Sequence, residues 1–139
     1  MTHASPRPIP PAPTAPLLAR TRAALQQHYA RPATHEATAP ARANLIGEHT
    51  DYNDGLVAPF ALARRTVVVA ARRSDRTVRV ASAAASGTLE LDLDAPIRRG
   101  EPRWGDYLRG VLDGLLAGHG LDPGGFDAFV DSDIPVGAG

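Results

Sequence analysis

Three short strand-like runs constrain the fold of this chain more than any other feature. They cover residues 66–71, 77–81 and 89–93, in which valine or leucine recurs at every second position. Alternation with a period of two is typical of strands that bury one face of a sheet. Ser-Asp and Ser-Gly pairs between the runs are turn signals, so the sequence predicts three antiparallel neighbours. Residues 126–130 add a fourth predicted strand.

Two segments have apolar residues at helical spacing. The first extends from Leu17 to about Ala30, and the second from about Trp104 to His119. The face of the second helix that is predicted to be buried contains Trp104, Leu108, Val111, Leu112, Leu115 and Leu116. The elements together predict an α/β (α+β) fold, in which helices pack on a mostly antiparallel sheet.

Residues 1–16 have a different composition from the rest, with six of the 13 prolines of the chain. Such a segment is predicted to be a disordered, extended tail. The alternative is a proline-rich ligand for a partner domain. Residues 17–139 then form the folded part, and the total length of 139 residues is near the commonest size of one domain.

Charge and composition exclude several classes of function. The 15 basic residues, all arginine, equal the 15 acidic ones in number, which argues against general binding to nucleic acid or to an anionic membrane. Without lysine there is no Walker-type phosphate loop, and without cysteine there is no disulfide or thiolate chemistry. No window approaches the roughly 20 apolar residues that span a bilayer. A cytoplasmic location is expected.

A polar motif at residues 41–55 is the least ordinary part of the sequence. Arg42, Glu48, His49 and Asp51 bring a guanidinium, two carboxylates and an imidazole together between apolar runs. These groups can bind a polyol, and arginine can also stabilise a phosphate or an alkoxide. Three other interpretations stay open: a helix cap, a solvated turn closed by residues 53–55, or a metal site. Glu-His-x-Asp, however, lacks an established metal-ligand spacing.

A second candidate segment, residues 132–139, places glycines directly after a predicted strand. Glycine lets backbone N–H groups approach phosphate oxygens, above all where a helix follows. Taken alone, a Gly-x-Gly sequence is common in turns and is weak support for a phosphate site.

Taken together, the two segments resemble one family. The run from Arg42 to Gly55 is similar to the galactokinase signature, which reads Gly-Arg-Val-Asn-Leu-Ile-Gly-Glu-His-Thr-Asp-Tyr-Asn-x-Gly. Residues 104–111 resemble its Trp-x-x-Tyr-x-x-Gly-Val helix, and residues 133–139 resemble the start of the phosphate motif of the wider GHMP small-molecule kinases. The resemblance covers residues 17–139, so the expected fold is a truncated N-terminal part of the GHMP kinase N-terminal domain.

The resemblance implies transfer of the γ-phosphoryl group of ATP to the anomeric hydroxyl of α-D-galactose. It gives Arg42 the catalytic role beside that hydroxyl. The residues implied to bind or flank galactose are Glu48, His49, Asp51, Tyr52 and Asn53. The residues implied to bind ATP are Pro135, Gly137, Ala138, Gly139 and Trp104, although packing of the second helix explains Trp104 equally well. No residue present is implied to bind the Mg²⁺ cofactor, whose ligands are expected beyond residue 139.

Two departures from the family pattern lead to further expectations. Ala41 replaces the usual glycine before the arginine; a positive φ there would shift Arg42, whereas a negative φ would make the change benign. The sequence also stops inside the phosphate motif, so this chain alone is expected to be inactive. The alternatives are a sister kinase for N-acetylgalactosamine or arabinose, a non-catalytic galactose-responsive regulator and, last, a metal-dependent hydrolase.

Overall fold

A five-stranded sheet with one helix on each face forms the framework of the chain. The computed structural model describes residues 14–50, 52–135 and 137. The elements are, in chain order, α1 (Thr14–Tyr29), β1 (His35–Asn44), β2 (Pro59–Arg72), β3 (Thr77–Ser82), β4 (Leu89–Asp92), α2 (Asp106–Asp113) and β5 (Phe126–Ser132). A 3₁₀ turn precedes α2 and a π turn follows it, so this helical segment extends from Arg103 to Gly118.

The first helix begins at Thr14, three residues earlier than predicted. Pro16 is compatible with this start, because the backbone N–H groups of the first turn have no intrahelical partner. The tail predicted at residues 1–16 is therefore three residues too long at its C-terminal end. Its first 13 residues lie outside the described part of the chain.

The strand order is β1-β2-β5-β3-β4. Three of the four pairings are antiparallel, as predicted, and only β3 and β5 are parallel. The prediction that β3 and β4 are antiparallel neighbours is confirmed. The prediction that β2 and β3 are neighbours is wrong, because β5 lies between them. A turn signal indicates a reversal of the chain, and a strand from far along the sequence can still enter between the two strands that the turn joins.

Gly125 permits β5 to enter this position. Its carbonyl accepts a hydrogen bond from the Arg73 N–H (2.9 Å), at the point where β5 passes the turn between β2 and β3. A Cβ atom on Gly125 would lie 2.8 Å from the Thr77 carbonyl oxygen, and closer still to that of Asp75. Backbone atoms on both sides therefore leave room only for glycine.

The apolar core has two parts, one on each face of the sheet. On one face, α1 packs through Leu17 and Leu25 on Val67, Val69 and Ala71 of β2. On the other face, Leu112 of α2 packs on a cluster formed by Val78, Val80, Leu89, Leu93 and Ala128. Val111 is an error in the predicted face, since 57% of its surface is exposed.

A buried carboxylate connects the elements of the α1 face. The Asp127 side chain on β5 has no solvent exposure and accepts hydrogen bonds from Arg31, Arg73 and Arg79, at 3.2, 3.1 and 2.6 Å. Burial by itself would raise the pKa of Asp127. The hydrogen bonds from the three guanidinium groups outweigh burial and hold this pKa below its ordinary value. Asp127 is therefore charged at neutral pH and binds the segment after α1, the end of β2 and the middle of β3 to β5.

We expect Gly125→Ala to disrupt folding, because the added methyl group meets two backbone carbonyls that cannot rotate away. The matched control is Gly110→Ala in α2, where a Cβ atom meets nothing within 4 Å. Gly110→Ala should stabilise the chain by about 0.5–1 kcal/mol through helix propensity. Urea denaturation followed by circular dichroism measures both effects. Equal midpoints for the two variants would contradict the proposed close approach.

We expect Asp127→Asn to lower the free energy of unfolding by about 2–3 kcal/mol, less than a fully buried ion pair loses, because the arginines keep partial access to water. Asp113→Asn, at an exposed position of α2, is the control and should change the free energy of unfolding by less than about 0.5 kcal/mol. The depressed pKa of Asp127 means that its contribution is present above about pH 4 and is lost as the pH falls through the folded-state pKa. Urea titrations at several pH values should therefore show a shallower acid loss in Asp127→Asn than in the parent chain.

Candidate functional site

The polar motif lies at the tip of a long arm formed by β1 and β2. These strands pair over their full length, whereas β5 pairs with β2 only from Thr66 onward. Residues 40–65 therefore extend past the end of β5, and we call them the arm. The sequence analysis assigned no strand to β1, whose apolar residues are alanines of low strand propensity and whose middle contains Pro40. Within the described residues of the arm, turns at residues 48–50 and 52–54 support the turn interpretation and no helix starts there for a cap.

Thr50 organises the tip of the arm. Its hydroxyl has one proton, which it shares between the Gly47 carbonyl (3.1 Å) and the Leu56 carbonyl (2.9 Å), and its own carbonyl accepts from the Gly55 N–H (2.8 Å). Gly47 has a φ of +109°, and a Cβ atom there would lie 2.9 Å from the Leu56 carbonyl oxygen. The two glycines of the motif thus let the chain close around one threonine.

The side chains implied to bind galactose surround this centre. Glu48, His49, Tyr52 and Asn53 are all exposed, as a ligand-binding surface requires. The Tyr52 hydroxyl lies 2.7 Å from His49 Nδ1, and Asn53 Nδ2 donates to the His49 carbonyl (2.7 Å). Asp51 lies outside the described residues. Three of the candidate residues therefore form one hydrogen-bonded group at the tip.

Arg42 lies on β1, opposite Ala61 of β2, at the base of the tip. Its side chain is exposed and donates to Asn44 Oδ1 (2.8 Å). Ala41 is buried at an irregularity in the pairing between Pro40 and Arg42, and it is not among the residues with positive φ. The replacement of the usual glycine by Ala41 is therefore compatible with the backbone, as expected for a residue without positive φ.

The predicted phosphate loop starts directly after β5 and is bound to β2. The Arg65 N–H donates to Asp133 Oδ1 (2.5 Å), and the Asp133 N–H donates to the Arg65 carbonyl (3.1 Å). Arg64 Nη1 also donates to the Asp133 carbonyl (2.5 Å). Sequence reasoning missed both arginines, for which an Arg-Arg pair directly before a predicted strand was the available signal. Pro135 is exposed and Gly137 has a φ of +78°, with open space where a Cβ would be; Ala138 and Gly139 lie outside the described residues.

The two motifs lie at the same end of the sheet. Arg42 is opposite Ala61 on β2, and Asp133 is bonded to Arg65, four residues further along the same strand. At about 3.3 Å per residue, the two points are roughly 13 Å apart along β2. One strand therefore holds the polar motif and the glycine loop in a fixed spatial relation.

Trp104 lies on the α2 face, at the edge of an apolar groove. It is half-buried, and its indole N–H donates to the Ser86 carbonyl (3.1 Å). The groove has a volume of about 210 Å³ and is lined chiefly by Trp104, Val68, Val80, Leu108, Phe126 and Val130. Trp104 thus packs in the core and also lines an open groove, a position that fits both interpretations of this residue.

The described part of the chain contains no candidate metal site. There, no group of three or more His, Cys, Asp or Glu side chains could hold a metal ion. Neither described helix combines the length and the apolar character that a membrane-spanning segment needs.

Comparison with known proteins agrees with the position of the polar motif. The family model described as the galactokinase galactose-binding signature matches residues 23–72. Galactokinase from Chloroflexus aggregans is 49% identical over 117 residues, and that from Chloroflexus aurantiacus is 48% identical, in each case over 84% of this chain. The chain spans about 30% of the length of these curated relatives.

Solved structures show the same relationship at the level of the fold. The Lactococcus lactis galactokinase complexed with galactose matches with a TM-score of 0.73 and 30% identity, over 86% of this chain and 32% of that one. The Methanococcus jannaschii mevalonate kinase, at 17% identity, matches with a TM-score of 0.53, over 73% of this chain and 33% of that one.

The sheet and helices thus have the fold of the GHMP small-molecule kinases. The sequence relationship is narrower than the fold. The match to the galactose-binding signature and the relatives at 48–49% identity make the chain similar to part of the galactokinases.

We expect Thr50→Val to loosen the tip of the arm without unfolding the sheet, because it removes the shared hydrogen bond and leaves the side-chain volume nearly unchanged. That bond contributes about 1 kcal/mol, so exchange of the Gly55 amide should accelerate about fivefold. Thr50→Ser keeps the hydroxyl and is the matched control. Hydrogen–deuterium exchange followed by NMR measures the rates. Equal rates in the two variants would show that the hydroxyl does not organise the loop.

Proposed function

We propose that this chain forms the galactose-binding part and the start of the ATP-binding part of a galactokinase, which converts ATP and α-D-galactose to ADP and α-D-galactose 1-phosphate. The observation that carries the proposal is that β2 connects the galactose-binding signature to the glycine loop at one end of the sheet. A phosphoryl acceptor and a phosphoryl donor must meet at such a place. Support also comes from the relatives named above.

On the sugar side, the proposal gives the tip of the arm the task of binding hydroxyl groups. Glu48 and Asp51 are hydrogen-bond acceptors, and His49 and Asn53 supply donors. A site built from such groups rejects sugars that lack the matching hydroxyl, because its polar atoms would then be left unpaired. Tyr52 shapes the site through its contact with His49.

Arg42 is proposed as the catalytic residue for the acceptor. In the reaction, the anomeric oxygen loses its proton and bonds to the γ-phosphorus, while the bond from that phosphorus to the ADP oxygen breaks. A guanidinium group beside the anomeric hydroxyl favours the alkoxide and offsets charge on the transferred phosphoryl group. The exposed position of Arg42, held by Asn44 at the base of the tip, is compatible with this role.

On the nucleotide side, Pro135, Gly137, Ala138 and Gly139 are proposed to pass along the ATP phosphates, which would accept hydrogen bonds from backbone N–H groups. The positive φ of Gly137 and the open space around it fit a close approach of phosphate. Trp104 and its groove are proposed to lie near the adenine. No described residue is assigned to Mg²⁺, and the reaction is proposed to take place in the cytoplasm, where no nucleic acid or membrane partner is involved.

The test is a chimera in which this chain replaces the matching part of the Chloroflexus aggregans galactokinase. We expect galactose-dependent ADP release from the chimera and none from the 139-residue chain alone, because phosphoryl transfer depends on positioning and charge stabilisation by the whole site. Arg42→Ala should lower kcat of the chimera by about 10²–10³-fold. Arg22→Gln, which alters an exposed pair with Glu36 near the other end of β1 from Arg42, is the control.

The chimera also separates the alternatives. A higher kcat/KM for N-acetylgalactosamine or arabinose than for galactose would replace the proposed substrate. Galactose binding without any ADP release would favour a galactose-responsive regulator. Activity of the isolated chain would refute the statement that the rest of the site is needed.

A further inference from the structure

We infer that Tyr52 is a positioning residue that sets the tautomer of His49, so that Nε2 carries the proton and faces the ligand as a hydrogen-bond donor. The inference rests on the proposed function in one respect, namely that the ligand is a sugar hydroxyl. The tautomer itself follows from contacts within the arm.

The first observation is the contact between the two side chains. The Tyr52 hydroxyl oxygen is 2.7 Å from His49 Nδ1, a typical distance for a strong hydrogen bond. The two rings are nearly perpendicular, at 80°, with their centres 6.1 Å apart. The phenol therefore meets the imidazole at a single ring nitrogen and leaves the other nitrogen uncovered.

The second observation is that the backbone holds this pair in place. Asn53 Nδ2 donates to the His49 carbonyl (2.7 Å), and the Asn53 N–H donates to the Thr50 carbonyl (3.1 Å). Thr50 in turn is tied to Gly47 and Leu56. His49 and Tyr52 are thus three residues apart in a turn that is closed on both sides.

The direction of the bond follows from the chemistry of the two groups. A phenolic O–H can donate or accept, and a neutral imidazole has one N–H donor and one acceptor nitrogen. The phenol is the stronger donor and the imidazole nitrogen the stronger acceptor, so Tyr52 donates and Nδ1 accepts. The remaining proton of the neutral ring then resides on Nε2, in the same way that the partner of one ring nitrogen sets the state of the other in metal and catalytic sites.

The consequence is a complementary pair of groups on adjacent residues. His49 Nε2 offers a donor, and the Glu48 carboxylate, when ionised, offers only acceptors. A hydroxyl group can accept from the first and donate to the second. A ligand group that cannot accept a hydrogen bond, such as a methylene, satisfies neither residue.

The tautomer is tested directly on the 139-residue chain labelled with ¹⁵N-histidine. Long-range ¹H–¹⁵N correlation at pH 8 distinguishes a protonated from an unprotonated ring nitrogen, and His49→Gln identifies the His49 signals. We expect a protonated Nε2 in the parent chain and a partial shift of the proton to Nδ1 in Tyr52→Phe. A protonated Nδ1 in the parent, or identical spectra in the two chains, would overturn the inference.

The effect on ligand binding is measured in the chimera. Loss of one hydrogen bond that orients a donor should weaken galactose binding about three- to tenfold in Tyr52→Phe, with KM for ATP unchanged. His49→Gln, whose amide nitrogen reaches the Nε2 position, should retain more affinity than His49→Asn, whose amide nitrogen reaches only Nδ1. His119→Asn, at an exposed histidine after α2, is the control. Equal losses in His49→Gln and His49→Asn would contradict a donor at Nε2.

The two measurements separate the inference from the proposed function. If the chain shows the Tyr52-dependent tautomer but the chimera binds no galactose, the tautomer assignment stands and the proposed substrate is wrong. If galactose binds and the tautomer is independent of Tyr52, the proposed function stands and the role of Tyr52 is wrong.

Discussion

Asp127 occupies the middle strand of the sheet, and the arrangement of the other elements depends on its charge. A buried carboxylate is costly unless it is fully paired, and Asp127 meets this need with arginines from three separate segments. Each arginine belongs to a segment that lies next to β5. The ion network therefore forms only with this strand order, and it stabilises that order in turn. A second pair, between Arg20 of α1 and Asp131, binds the helix to the same strand. The absence of lysine suits this arrangement, since the planar guanidinium can share one carboxylate among several donors.

This framework decides where the chemistry lies. Because β5 is central and ends at Ser132, its continuation meets β2 at Arg64 and Arg65, and the glycine loop begins beside the arm. β2 is an inner strand where β5 pairs with it, and the arm is a two-stranded extension beyond that point. The groups proposed to bind a small ligand are thus carried on a short, closed turn, while the continuation of β2 belongs to the core. Binding residues on a loop held by a rigid scaffold are a common solution in enzymes.

Local patterns predicted those parts of the structure in which neighbours in sequence decide the outcome. Alternation in residues 77–81 and 89–93 predicted the β3–β4 pair, and helical spacing predicted α1 and α2 to within a few residues. The same patterns could not place β5 between β2 and β3, because that depends on Gly125 passing under a turn 50 residues earlier in the chain. They also did not predict β1, an edge strand that consists largely of alanine and polar residues and contains Pro40. Val111 was assigned to the buried side by spacing alone, whereas the tertiary packing of α2 buries Leu112 and leaves Val111 exposed.

The sequence alone was sufficient to recognise the galactokinase signature, the glycine loop and their order in the chain, because these are properties of consecutive residues. It also excluded a Walker lysine from these 139 residues. Only the tertiary structure decided that the two motifs meet at one end of the sheet, that Ala41 is compatible with its position, and that Thr50 and Tyr52 organise the arm. These results depend on strand register, on φ at one residue and on hydrogen bonds that form when the chain closes on itself. A sequence pattern contains none of this information. The motifs could therefore be recognised from the sequence, whereas the arrangement of the candidate site required the structure.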